Sequence, residues 1–224
     1  MIAILIAAFF AAAAAPSPLD TARDKQDRPA LVQFATQVGA AAAKTPNDPE
    51  AQYRAALANS YLAEVHIELR DRKAGRAAAE QGIKFAERAV ALKPANAEYH
   101  RMLATLYGQA ITDIMSGLSY GPKAKEAVNK AVEKAPKSSM MYVARGVGNY
   151  YVPAQLGGGP KLSIPDFQKA IELDPKNAEA YLWLGLSLRK ENRDAEARAA
   201  FTKSLELNPN RVWARQQLDK TPAK

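Results

Sequence analysis

The sequence predicts an all-α protein, an array of antiparallel helix pairs closed by a helix at each end. Three observations predict it. Ala supplies much of a composition that is 48% hydrophobic, and Ala is both the strongest helix former and small enough to let helices approach closely. Apolar residues recur at three- and four-residue spacing along most of the chain, as on one face of a helix. Four segments also share one helix-ending pattern: AVALKPANAEY at 89–99, AVEKAPKSSMM at 131–141, AIELDPKNAEA at 170–180 and SLELNPNRVWA at 204–214. Pro94, Pro136, Pro175 and Pro209 each stop a helix, because proline cannot donate the next backbone hydrogen bond.

In chain order, residues 1–15, MIAILIAAFFAAAAA, form an apolar run of signal-peptide length with small residues at Ala12 and Ala14. No Lys or Arg precedes it, and it is too short to span a bilayer as a helix. Residues 16–28 hold two prolines and polar side chains and read as a linker. Pro29 opens an N-terminal helix over 29–46, with Leu31, Phe34, Val38 and Ala42 in helical register. Four repeats follow at 49–96, 97–138, 139–177 and 178–211, with a capping helix and tail over 212–224. The shared segments begin at 89, 131, 170 and 204, so their spacing is 42, 39 and 34 residues. The added residues of the second and third repeats gather in Ser116–Pro122 and Pro153–Pro160, read as breaker-rich turns between the two helices of a pair. In the first repeat they lengthen both helices instead.

The regular unit reads Tyr181, Leu184, Gly185, Leu188, then Ala197, Phe201 and Pro209. This resembles the 34-residue tetratricopeptide repeat (TPR) pattern, W-x2-L-G-x2-Y followed by A-x3-F and P. The resemblance implies a TPR solenoid whose first helices line a concave groove. It places Glu98, Arg101, Thr105 and Gly108, then Met140, Val143, Val147 and Tyr150, then Glu179, Leu182, Leu186 and Arg189 on that groove. The expected partner-binding groove is therefore Glu98, Arg101, Val147, Tyr150, Leu182, Leu186 and Arg189, with Arg101 and Arg189 able to hold a carboxylate. Insertions on one edge mark a functional rim, here Tyr120, Leu156, Gly157, Gly158 and Gly159. The Lys and Asn set of the TPR carboxylate clamp is missing, since Thr105 stands where Asn is expected.

Little points to catalysis or to a metal or cofactor. With no cysteine, thiolate chemistry, disulfides and thiolate zinc sites are excluded. His66 and His100 have no ligand-spaced partners and read as packing or surface residues. No nucleotide-loop or hydrolase motif occurs, and the Gly157–Gly159 run follows a helix rather than a strand. The net charge of +8 is distributed among interleaved acids, which reads as solvated helix faces and makes nucleic acid an unlikely partner.

Two functions are expected from these residues. The first is an exported, periplasmic scaffold of the bacterial envelope that binds a protein or peptide, with membrane contact only through an uncleaved N-terminus. The second rests on a resemblance over 139–211 to periplasmic TPR proteins associated with TRAP-type transporters, carried by the Gly-rich turn after a Tyr-rich helix. It implies a small-molecule or lipid-like ligand.

Overall fold

The computed structural model describes residues 16–223, so the apolar run 1–15 lies outside the described residues. Among the described residues there are eleven α-helices: α1 (Pro18–Asp24), α2 (Arg28–Lys44), α3 (Pro49–Glu68), α4 (Arg72–Leu92), α5 (Ala97–Gln109), α6 (Ile114–Lys134), α7 (Ser139–Tyr151), α8 (Pro160–Leu173), α9 (Ala178–Lys190), α10 (Asp194–Leu207) and α11 (Val212–Asp219). The pairs α3/α4, α5/α6, α7/α8 and α9/α10 stack in sequence as an all-α TPR solenoid. α2 lies on α3 at one end and α11 on α10 at the other.

Local chemistry explains the boundaries. Asp27, Asp48, Asp71, Asn96, Asp113 and Asn177 each accept a first-turn N–H with the side chain, satisfying a donor the helix leaves free. Prolines stand at the first or second position of α1, α2, α3 and α8, where no N–H is missed. The last residue before each terminating proline leaves the helical region. Thr45, Lys93, Ala135, Asp174 and Asn208 all have φ between −126° and −145°. The proline ring forbids the α conformation to its predecessor, so five helices end the same way.

Two segments differ from the sequence expectation. The stretch 16–28, expected to be a linker, contains α1. Ser17 and Asp20 form a reciprocal capping box, Pro18 starts the turn, and Leu19 and Ala22 pack beside Leu31 and Val65. The stretch Ser116–Pro122, expected to be a turn, is helical, and the turn is Ala110–Asp113 instead. Asp113 and Ser116 make a second capping box there. Pro122 sits inside α6 on its exposed side, while Tyr120 turns inward and stacks on Tyr107 at 5.8 Å.

The core runs between the layers as two large clusters. One joins α3–α6 around Met102, Leu106 and Val128, and the other joins α7–α11 around Phe167, Leu182 and Phe201. The TPR glycines are needed for contact here. A Cβ on Gly146 or Gly185 would stand 2.6 Å from the Phe167 or Phe201 ring. The same glycine–phenylalanine contact therefore recurs, although its two residues lie 21 apart in the third repeat and 16 apart in the fourth. The insertion is absorbed by a loop with a 3-10 turn at Ala154–Leu156, not by the helix packing. Gly146→Ala and Gly185→Ala should each destabilise the fold by about 1–3 kcal/mol through overpacking, read as a shift in urea midpoint at unchanged slope.

Candidate binding groove and its ionic clasp

The concave face is built by the first helix of each pair together with α11. Its N-terminal part is closed by charge. Arg211, the residue capping the start of α11, is only 1% exposed. Its guanidinium donates to Glu64 at 2.6 Å, to both oxygens of Glu68, and to Glu179 at 3.2 Å. Asp24 of α1 lies 3.8 Å from its Nε. Arg23 joins from the same short helix, 2.7 Å from Asp24 and 3.3 Å from Glu179, with its guanidinium over the Tyr61 ring. Neutral contacts reinforce the closure: Asn208 donates to Asp24, Gln26 to Glu68, and Gln216 to Gln26. The first and last helices thus meet across the groove.

Helical spacing positions the carboxylates. Glu64 and Glu68 are one turn apart on α3 and face the same way, while Glu179 stands in the first turn of α9. Four carboxylates surround two guanidiniums in a buried cluster, where burial and the neighbouring charges pull the carboxyls in different directions. Burial pushes the Glu64 carboxyl up to about 7; Arg211 and Arg23 pull it down, and Glu68 and Glu179 push it further up. Burial works the same way on Glu179, but Arg23 and Arg211 outweigh it and hold that carboxyl below its ordinary value.

Beyond the clasp the concave face is aromatic. Tyr150, Tyr151, Trp183 and Trp213 meet edge to face, with centroids 5.1–5.9 Å apart. Lys190 lies 3.6 Å above the Tyr150 ring and donates to the Tyr150 carbonyl, and burial lowers its ammonium pKa. Tyr151 as a residue is 59% exposed, while burial around its hydroxyl, with Tyr150, Glu64 and Glu68 in range, raises the phenol pKa.

The expected site residues are divided by this geometry. Tyr150 and Val147 are half-buried at the aromatic wall. Leu182 and Leu186 are buried in the core. Arg189 does not face the groove as a free cation: it donates to Gln217 and Thr221 and pins α11 in place. Arg101 is likewise committed, as a two-pronged donor to Glu98. Burial raises the Glu98 carboxyl, but Arg101 and the Tyr53 hydroxyl, at 2.7 Å, bring it below its ordinary value. Of the expected rim, Tyr120 belongs to α6, Leu156 is 76% exposed, and Gly157 turns with φ +77°. Gly158 and Gly159 are buried. Gly159 has φ +89° and donates to the Asn149 carbonyl, which makes the run a turn that needs glycine. His100 is buried, with Nε2 2.9 Å from the Pro94 carbonyl oxygen.

Sequence reasoning placed Glu179 in the groove but did not find Arg23, Asp24, Glu64, Glu68, Tyr151 or Arg211. The available signal was the Glu64–Glu68 pair, one turn apart on one face of the helix. No group of three or more His, Cys, Asp or Glu among the described residues is arranged to hold a metal, and no described helix is long and apolar enough to cross a membrane.

The stacked helix pairs make this a tetratricopeptide-repeat protein: TPR family models match residues 178–211 and 162–191. A broader match spans residues 19–156, and on it the chain belongs to the family described as regulator of microtubule dynamics protein 1-3. A curated relative, small glutamine-rich tetratricopeptide repeat-containing protein 2 of Mycosarcoma maydis, is 33% identical over 96 residues. That stretch is 43% of this chain and 26% of the relative, so the chain spans about a quarter of the relative's length. Among solved structures, TTC0263, a thermophilic TPR protein of Thermus thermophilus, is similar in fold with a TM-score of 0.63 at 20% identity, over 89% of this chain and 97% of that one. YrrB, described as a TPR protein with an unusual peptide-binding site, aligns with a TM-score of 0.47 at 16% identity, over 89% of this chain and 97% of its own.

Removing one partner of a buried ion pair leaves the others uncompensated. Arg211→Met should therefore destabilise the protein by about 3–5 kcal/mol and release α1 to rapid amide exchange. The folded protein holds the Glu64 proton more tightly than the unfolded chain does. Its contribution to stability is therefore complete below its ordinary value of 4.5 and is lost as pH rises through about 7. Glu64→Gln should abolish this loss, so thermal melts of variant and wild type should diverge in the variant's favour between pH 5 and pH 8.

Proposed function

We propose that this protein is a non-catalytic scaffold that binds a protein or peptide partner against the aromatic wall of its concave face. The observation that carries the reading is the exposed Tyr151 among Tyr150, Trp183 and Trp213, beside a groove end sealed by Arg211. TPR proteins bind protein or peptide partners. Exposed aromatic rings held rigidly by neighbours are efficient anchors, since little side-chain entropy remains to be lost. The clasp shortens the usable groove to its C-terminal half, so the partner segment is short.

Export belongs to the same proposal and rests on residues 1–15. A second reading follows from the family description, which names microtubule dynamics as what its members regulate. The net charge of +8 accompanies it, because a basic protein suits an acidic partner surface. The two readings put the chain in different compartments, and cell fractionation separates them.

A photo-crosslinking amino acid at Tyr151 should trap a discrete partner in cells, while the same group at exposed Lys203 should not. Tyr151→Ala should keep the protein folded, with a melting temperature lowered by a few degrees through the lost aromatic contacts, and weaken that partner's affinity about tenfold or more. Equal trapping at both positions would remove the groove from the proposal.

A further inference from the structure

The first two turns of α6 carry three of the four most exposed large apolar side chains of the described residues. Ile114, Met115 and Leu118 are 82%, 74% and 69% exposed. Helical periodicity accounts for this. Ser116, Tyr120, Ala127, Val128 and Ala131 face inward, so Ile114, Leu118 and Pro122 fall in file along the outer side with Met115 beside them. Ile111 of the preceding turn borders it. Between Asp113 and Lys123 the chain has no charged residue, so the strip is apolar throughout.

Cations without acidic partners stand at both ends. Lys125 continues the strip below Pro122 and makes no ion pair among the described residues. At the other end Arg76 of α4 is 2.8 Å from Glu80 and 3.2 Å from Asp113, so both of these acids are already paired. Arg72, one turn earlier on the same face of α4, is exposed and unpaired among the described residues. Arg72 is one turn from Arg76, whose guanidinium meets the Asp113 cap beside Ile114, and Ile114 and Lys125 are about 16 Å apart along α6.

We propose that this strip is a second docking surface, and that its occupant is an acidic amphipathic helix of another protein. A strip with apolar groups at i, i+4 and i+8 complements a rod that presents anchors at the same spacing. The flanking cations require acids on that rod. Residues 1–15 of this chain contain no acid, so they lack the matching charge. A second copy would set Arg72 and Lys125 against the same cations. A bilayer would call for an apolar plane running the length of a helix, and Ile114, Met115, Leu118 and Pro122 span only the first turns of α6. The inference rests on the scaffold reading but uses a different surface from the aromatic wall.

The test uses the full chain and a synthetic fluorescein-labelled helical peptide of about five turns, with Leu at i, i+3, i+4 and i+7 and Glu elsewhere. Its twin carries Lys in place of Glu. Fluorescence anisotropy should show micromolar binding of the acidic peptide and none of the basic one. Leu118→Glu should weaken binding at least about tenfold, and Lys125→Glu about threefold, with the latter effect fading at high salt. Both sites are exposed, and Met115→Gln serves as a milder variant whose melt must match wild type. Equal affinity for both peptides, or no loss on Leu118→Glu, would overturn the proposal. So would Leu118-dependent sedimentation with phosphatidylserine vesicles, or a Leu118-dependent dimer in analytical ultracentrifugation. Crosslinking at Tyr151 that persists while the peptide fails would sink this surface alone and leave the scaffold reading standing.

Discussion

The structure depends on one buried guanidinium. An array of stacked helix pairs is ordinarily one-dimensional, with each repeat held only by its neighbours. Arg211 changes that by ion-pairing with Glu64 and Glu68 near the start of the chain and with Glu179 near the end. The array closes on itself, and the opening and closing helices become neighbours. Such a cluster is a weak source of net stability, because desolvating the charges offsets much of their attraction. Its larger effect is geometric. It admits one relative placement of α1, α3, α9 and α11, since any other would strand charges in the interior.

The ordering of α1 follows from that closure. Seven residues are too few to hold a helix alone, because a helix nucleus is costly and few bonds are gained in return. Asp24 and Arg23 join the clasp, Asp20 accepts from Tyr61, and Leu19 packs against the core. The capping box then sets where the helix begins. The short-range signal and the long-range contacts agree, but only the latter make the segment stay folded.

The insertions divide the molecule by role. They leave the contact between helices unaltered, as the recurring Gly146–Phe167 and Gly185–Phe201 packing shows. They act at the edge where the two helices of a pair turn. In the second repeat α6 outgrows α5, and its first turns run on into solvent. In the third, the Gly157–Gly159 turn carries Leu156 outward. The family match over 19–156 covers the first two irregular repeats and the first helix of the third, while the regular fourth repeat is the one the general TPR pattern describes.

The sequence by itself determined most of the helices, the proline stops and the repeat architecture, but not α1 or the start of α6. Those features depend on proline, on side-chain caps and on apolar spacing within a few residues, all of which are local. Tertiary structure decided which polar residues remain free to act. Arg189 and Arg101 look alike as groove cations in the sequence, yet each is consumed by partners that folding brings to it. Tyr120 reads as part of a turn, but stacking on Tyr107 draws its segment into α6. Arg211 stands two residues after a helix-breaking proline, with nothing local to mark it, whereas the fold buries it against acids 143 and 147 residues away. Charge satisfaction is a property of the assembled structure, because a buried ion is tolerable only where the rest of the chain delivers its counter-ions.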